Sequence, residues 1–196
     1  MTQENKKLVT AFLGSARSTG STNWLLKKVN DGFDKFKDET MHFNKVDLYK
    51  YDIKPIARSF IESTEQKIPN DGMKELVPMI LTSRVIILAT PIYWFTVSGI
   101  MKNFLDRWYD FSDDKGKLRL DGKGIAVVTA HANPSSTMSH PVFKMVEEGA
   151  KFCNMVYLGG VDTITSAQPG SNEYEISAIT AELLGKRVVD FLKHSL

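Results

Sequence analysis

The stretch Leu8-Val9-Thr10-Ala11-Phe12-Leu13-Gly14-Ser15-Ala16-Arg17-Ser18-Thr19-Gly20-Ser21-Thr22-Asn23 decides the fold. A mostly apolar run of strand length enters a polar, glycine-containing turn, and a helical pattern from about Thr22 to Lys37 follows at once. The same alternation then repeats along the chain. Met41 to Asp47 reads as a weaker strand, and Asn70-Asp71-Gly72 opens a helix to about Ser83. Pro78 inside that helix predicts a kink or a late start, because proline has no N–H and crowds the preceding turn. Val85-Ile86-Ile87-Leu88-Ala89 is a continuous apolar run, the pattern of a strand buried on both faces. A helix from about Ser98 to Phe111, a strand from Gly124 to Thr129 and a helix from Pro141 to about Asn154 come next. Val156 to Thr165 holds the last strand. Asn172 and Glu175 suggest a capping box for a final helix running nearly to Leu196.

Five alternations of strand and helix predict an α/β fold with a parallel sheet covered on both faces by helices. Right-handed crossovers favour the flavodoxin-like order 2-1-3-4-5. Residues 1–196 are expected to form a single domain. The long irregular stretch from Leu48 to Pro69 exceeds an ordinary connection and is expected to be functional. Its Tyr49, Tyr51, Ile53, Ile56, Phe60 and Ile61 predict an apolar surface for self-association.

Composition narrows the function. A formal net charge of +2, with basic residues scattered, offers no nucleic-acid footprint and no attraction to an anionic membrane. No apolar stretch has the length of a membrane helix, and no apolar signal core is present at the N-terminus. The single cysteine, Cys153, allows no internal disulfide, and with four histidines it makes no cysteine-rich metal site. A cytoplasmic location and no bound metal are expected.

In the order 2-1-3-4-5, ligands gather where the strand order reverses, at the loops after strands one, three and four. The first loop contains Ser15, Arg17, Ser18, Thr19, Gly20, Ser21, Thr22 and Asn23. Hydroxyls, free backbone N–H groups and the positive end of a helix dipole favour a phosphate there. Capping alone would need only one such residue. The glycine spacing matches neither a Walker A loop nor a dinucleotide fingerprint. The second loop is Thr90-Pro91-Ile92-Tyr93-Trp94-Phe95-Thr96-Val97-Ser98-Gly99. Three consecutive aromatics cannot all enter one core, so at least one is expected to be exposed or to cover a flat ligand. The third loop, from Thr129 to Ser136, is small and polar. His131 reads either as a proton donor or ring hydrogen-bonder, or as an exposed loop histidine.

Gly14-Ser15-x-Arg17-x-x-Gly20-Ser21-Thr22, Pro91-Ile92-Tyr93-Trp94 and Lys102-x-Phe104-Leu105-Asp106-Arg107 together resemble the NAD(P)H-dependent FMN reductase family of flavin, quinone and azo-dye reductases. The resemblance implies FMN as cofactor and NAD(P)H as co-substrate. It implies that Ser15, Arg17, Gly20, Ser21, Thr22 and Asn23 hold the FMN phosphate. Pro91, Ile92, Tyr93, Trp94 and Phe95 would flank the isoalloxazine, with Thr129 and His131 closing the other side. Members are typically dimers or tetramers, so a homodimer or homotetramer is expected. The iron–sulfur members carry a cysteine cluster that is absent from Asp52 to Pro69 here. The implied reaction passes electrons from NAD(P)H through bound FMN to a flat acceptor such as a quinone, a flavin, or an azo or nitro compound. No protein side chain is assigned as catalytic. The alternative is a flavodoxin-type electron carrier or an FMN-binding sensor without nicotinamide turnover. Carriers of that type are usually strongly acidic, which a charge of +2 disfavours.

Overall fold

The computed structural model describes residues 7–56, 70–111, 118–135 and 137–194. Five strands form one all-parallel sheet: β1 (Lys7–Leu13), β2 (Met41–Asp47), β3 (Val85–Pro91), β4 (Gly124–His131) and β5 (Val156–Ile164), in the order β2-β1-β3-β4-β5. The helices are α1 (Ser21–Phe36), α2 (Met73–Thr82), α3 (Gly99–Asp106), α4 (His140–Phe152) and α5 (Asn172–His194). The order is the one the alternation predicted. Phe60 and Ile61 of the expected self-association patch lie outside the described residues. Leu48 and Ile53 belong to the core, not to the surface, while Tyr49 is exposed.

The central strands explain why their sequences are nearly all apolar. Every residue of β3 and β4 is buried, because alternate side chains enter two separate cores. Val9, Ala11, Leu13, Val85, Ile87, Ala126 and Val128 pack under α1 and α5. Phe12, Ile86, Leu88, Ile125 and Val127 face α2, α3 and α4. Helix α2 continues through Pro78, whose exposed position keeps its missing donor on the solvent side. The expected helix from Ser98 stops being α-helical at Asp106 and tightens to a 3₁₀ turn over Arg107–Phe111. Ser171, one residue before the expected cap, closes α5 by accepting from the Tyr174 N–H at 3.3 Å.

Helices α1 and α5 meet backbone to backbone. A Cβ on Gly32 would lie 2.1 Å from the Glu182 carbonyl oxygen, and one on Gly185 would lie 2.1 Å from that of Val29. Only glycine permits this approach. Gly185→Ala should therefore force the helices apart and cost about 1–3 kcal/mol, seen as a lower urea midpoint with an unchanged slope. An unaltered midpoint would mean that the two helices separate without penalty.

On the other side of the sheet, Arg107 and Asp71 form a buried ion pair. Their side chains are 1% and 0% exposed, with Nη1 2.6 Å from Oδ2. Arg107 Nη1 also donates to the Lys54 carbonyl at 2.8 Å, and Asp71 Oδ1 accepts from the Met73 N–H at 3.0 Å. The pair ties the segment after β2 to the starts of α2 and the 3₁₀ turn. Burial pushes the Asp71 carboxyl up, but hydrogen bonds from Arg107 and the Met73 N–H outweigh it and hold it below the ordinary 3.8. With its folded value depressed, the stabilisation is complete above pH ~4 and drains away as the pH falls through that folded value. Wild type should lose more stability than Asp71→Asn on acidification below pH ~4. Parallel losses in the two proteins would contradict this.

Strand β5 carries an irregularity that matters for the site. Its register against β4 shifts between Ile125 and Val127, where Gly159 adopts φ +104°. The extra residue is a β-bulge that requires glycine. An added residue flips every following side chain to the opposite face. The bulge thereby brings Asp162 opposite Thr129 and alongside His131.

Candidate active site

The carboxyl ends of β1, β3 and β4 bring the three loops together. Gly14 N–H donates to the Ala89 carbonyl at 2.8 Å, and Ile92 N–H donates to the Ala130 carbonyl at 2.9 Å. Thr90 and Ser98, not in the set expected from sequence, lock the first loop to the second. Ser98 Oγ donates to the Gly14 carbonyl at 2.6 Å, and Thr90 Oγ1 accepts from the Ser98 N–H at 3.0 Å. Ser98 also caps α3, accepting from the Met101 N–H. A side chain at Gly14 would press within 3.0 Å of Ser98 Oγ and Met101 Cβ, so glycine sets the spacing of the two loops. A serine three residues past an aromatic run and just before an apolar helix is an N-cap signal that sequence alone could have exposed.

The first loop presents donors. Ser15 Oγ accepts from the Arg17 N–H at 3.3 Å and holds the turn. Gly20 is the N-cap of α1 and has an extended backbone, and no side chain caps the helix. The N–H groups of Ser21, Thr22 and Asn23 take no partner among the described residues. No acidic residue sits in the first turn. About half a positive charge therefore sits at this terminus without a counter-charge on the helix. Arg17 is exposed beside it, while the Thr22 side chain is buried. The Asn23 side chain turns toward the sheet edge, where its Oδ1 accepts from Lys45 Nζ at 3.1 Å. Asn23 can thus serve this terminus through its N–H.

The second loop is a two-residue turn. Tyr93 and Thr96 exchange both backbone hydrogen bonds, at 2.9 and 3.1 Å. Trp94 and Phe95 occupy its tip with φ of 48° and 63°. Such turns ordinarily use Asn-Gly, and bulky residues in this region cost of order 1–3 kcal/mol each. All three aromatics are exposed, Trp94 by 93%. Their N–H groups at 94 and 95 take no partner among the described residues.

At the third loop, His131 is 4% exposed, not a solvent-facing loop histidine. Its Nδ1 lies 2.6 Å from the Asn133 carbonyl, which can only accept, so Nδ1 carries a proton. Its Nε2 lies 3.1 Å from Asp162 Oδ2. Both ring nitrogens are engaged, and the ring ties the third loop to β5. Thr129 is fully buried, with its Oγ1 unpartnered in the protein interior. Among the described residues, no group of three or more His, Cys, Asp or Glu is placed to hold a metal.

These residues fit a flavin mononucleotide. The uncapped terminus of α1 and the hydroxyls around it suit a terminal phosphate dianion, and the partnerless N–H groups at Trp94 and Phe95 suit the polar edge of a flat ring. Such a site at the switch point of a five-stranded parallel sheet defines a flavodoxin-like flavin oxidoreductase. The chain belongs to the NADPH-dependent FMN reductase family, which it matches over residues 8–183. FMN is its cofactor and NAD(P)H its reductant.

A Bacillus subtilis protein named as an NAD(P)H-dependent FMN-containing oxidoreductase, YwqN, is 29% identical over 152 residues, covering 76% of this chain and 80% of its own. Among solved structures, the NAD(P)H:quinone oxidoreductase of Methanothermobacter marburgensis superposes with a TM-score of 0.73 at 15% identity, covering 92% of this chain and 98% of that one. An FMN-dependent NADH-azoreductase of Bacillus anthracis, solved with FMN, gives 0.69 at 12% identity over 93% and 99%. At these identities the structural likeness is one of fold.

Proposed function

We propose that this chain, as a single domain in the cytoplasm, reduces a flat organic acceptor such as a quinone, a flavin, or an azo or nitro compound at the expense of NAD(P)H. The observation that carries the reading is the uncapped N-terminus of α1, joined through Ser98 to an exposed aromatic turn. Bound FMN supplies the capacity to accept a hydride and return electrons. In this reading the N–H groups of Ser21, Thr22 and Asn23, with Ser15, Arg17 and Gly20 of the same loop, hold the phosphate. The N–H groups of Trp94 and Phe95 meet the polar ring edge beside Pro91 and Ile92. Tyr93 and Phe95 wall the space over which nicotinamide and acceptor lie. His131 acts by fixing the loop after β4 against Asp162, and Thr129 supports that loop from below.

One walled space serves two flat substrates, so they occupy it in turn. Hydride transfer needs reacting atoms about 3–3.5 Å apart, which leaves no room for both together. Double-reciprocal plots at several quinone concentrations should be parallel. Intersecting lines would require a second acceptor site. The net charge of +2 argues against an acidic carrier that docks to a redox protein. A homodimer or homotetramer is part of the proposal, supported by the exposed Trp94, Tyr109 and Phe152.

A further inference from the structure

We propose that two copies of this chain pair through the outer face of α5, antiparallel about a two-fold axis near Thr180. This rests on the homo-oligomer reading and adds a contact to it, on the other side of the sheet from α3 and α4. Helix α5 buries Ala181, Leu184, Val188 and Leu192 against its own chain. Its opposite side carries Ile176, Ile179 and Leu183, which are 62%, 58% and 55% exposed. Their spacing, i, i+3 and i+7, is that of the seam between two paired helices. Single exposed aliphatics are ordinary, but three in one stripe over two turns make a patch. Two of them are β-branched, a type that intrinsic helix propensity does not favour on an exposed face. Thr180 lies among them and donates its hydroxyl to the Ile176 carbonyl at 2.8 Å. It therefore brings no unmet polar group to the stripe.

Charge identifies the partner as a second copy. Glu173 and Glu175 precede the stripe, and Lys186 and Arg187 follow it. A two-fold axis at Thr180 sets Glu173, seven positions before it, against Arg187, seven positions after it. The same axis sets Ile176, four positions before, against Leu183, three positions after, and brings Ile179 to its own copy. Glu173, Thr180 and Arg187 recur every seven residues, so they run along one edge of the seam, and in an antiparallel pair like edges meet. Glu175 comes to Lys186 on the other edge. The apolar and the charged pairs thus share one centre. A self-complementary two-fold contact requires that coincidence, and a foreign partner does not. Parallel pairing would instead set Glu173 on Glu173 and Arg187 on Arg187. The Glu173 and Glu175 carboxylates have no ion pair among the described residues. Arg187 spends one of its five donors on the Leu158 carbonyl, at 2.7 Å.

The test is sedimentation equilibrium on the FMN-loaded protein, comparing wild type, Leu183→Glu and Glu173→Lys. Leu183→Glu should halve the mass of the assembly, raising the dissociation constant of the contact at least about fiftyfold. FMN content and thermal midpoint should hold, because Leu183 is exposed and lies outside both the core and the cofactor loops. Glu173→Lys should raise the same constant about fivefold or more, since the lost pair occurs twice across the axis. That second effect should shrink at high salt. Variants that keep the wild-type mass would overturn the α5 contact while leaving the homo-oligomer reading intact. Dissociation by Leu183→Glu with no effect of Glu173→Lys would overturn the antiparallel pairing, since the stripe would then face some other surface. A wild-type chain that is monomeric at tens of micromolar would overturn both readings.

Discussion

Ser21→Asp should abolish practical FMN binding while leaving the fold as stable as before or slightly more so. The two effects have opposite signs because they read the same positive helix end. A carboxylate at the first position of α1 interacts favourably with the dipole, typically by about 0.3–1 kcal/mol. It also occupies the place of the phosphate charge. The lost hydroxyl donor is worth roughly 1.5–3 kcal/mol, and like-charge juxtaposition costs several kcal/mol more. Together these predict a weakening of about a thousandfold or more. Ser21 suits the test because α1 lacks a side-chain cap, so no structural contact is lost on substitution. Fluorescence titration with FMN and thermal unfolding of the apoprotein check the two halves. If the hydroxyl-rich loop only terminated a helix, FMN affinity would not change.

Arg107→Ala should lower the unfolding free energy by about 3–5 kcal/mol, the largest stability effect expected of a single substitution here. The loss is large because Asp71 is left buried and unneutralised, with a side chain of 0% exposure. The Lys54 carbonyl loses a donor at the same time. The double variant Arg107→Met with Asp71→Leu should recover much of the loss, since well-packed apolar residues often replace a buried pair without penalty. Urea unfolding of the two proteins measures both. Arg107→Ala within about 0.5 kcal/mol of wild type, the range of an ordinary surface change, would show that the pair is not buried in solution.

Local pattern carried the fold far and the site less far. The mostly apolar runs of β1, β3 and β4 suit strands covered on both faces, and the five alternations then leave few topologies. The phosphate loop and the aromatic turn were legible for the same reason: each is a contiguous segment whose chemistry does not suit a core. What remained hidden depends on residues far apart in the chain. Asp71 and Arg107 are separated by 36 positions, and no local periodicity couples them. His131 reads either as a ring hydrogen-bonder or as an exposed loop histidine, and its loop setting does not decide between them. It is buried because Asp162, 31 positions on, faces it, and that facing depends on the bulge at Gly159. The splitting of the expected helix after Ser98 has the same origin, since it follows the 3₁₀ turn at Arg107, a residue held by a partner from another segment.

Within the Leu48 to Pro69 stretch, the described residues 48–56 divide between core and surface. Its Leu48 and Ile53 close the core under α2, while its Tyr49 is exposed, as are Trp94, Tyr109 and Phe152 elsewhere in the chain. Residue type alone does not distinguish a loop that folds inward from one that faces a partner.

The most direct test of the reaction is anaerobic rapid mixing of the FMN-loaded protein with NADPH or NADH, followed by addition of a quinone. The expected result is loss of the flavin's visible absorption on adding at least one nicotinamide, and its full return with one equivalent of quinone. A flavin that stays oxidised with both nicotinamides, in protein that binds FMN tightly, would contradict the reductase reading and favour a carrier or sensor.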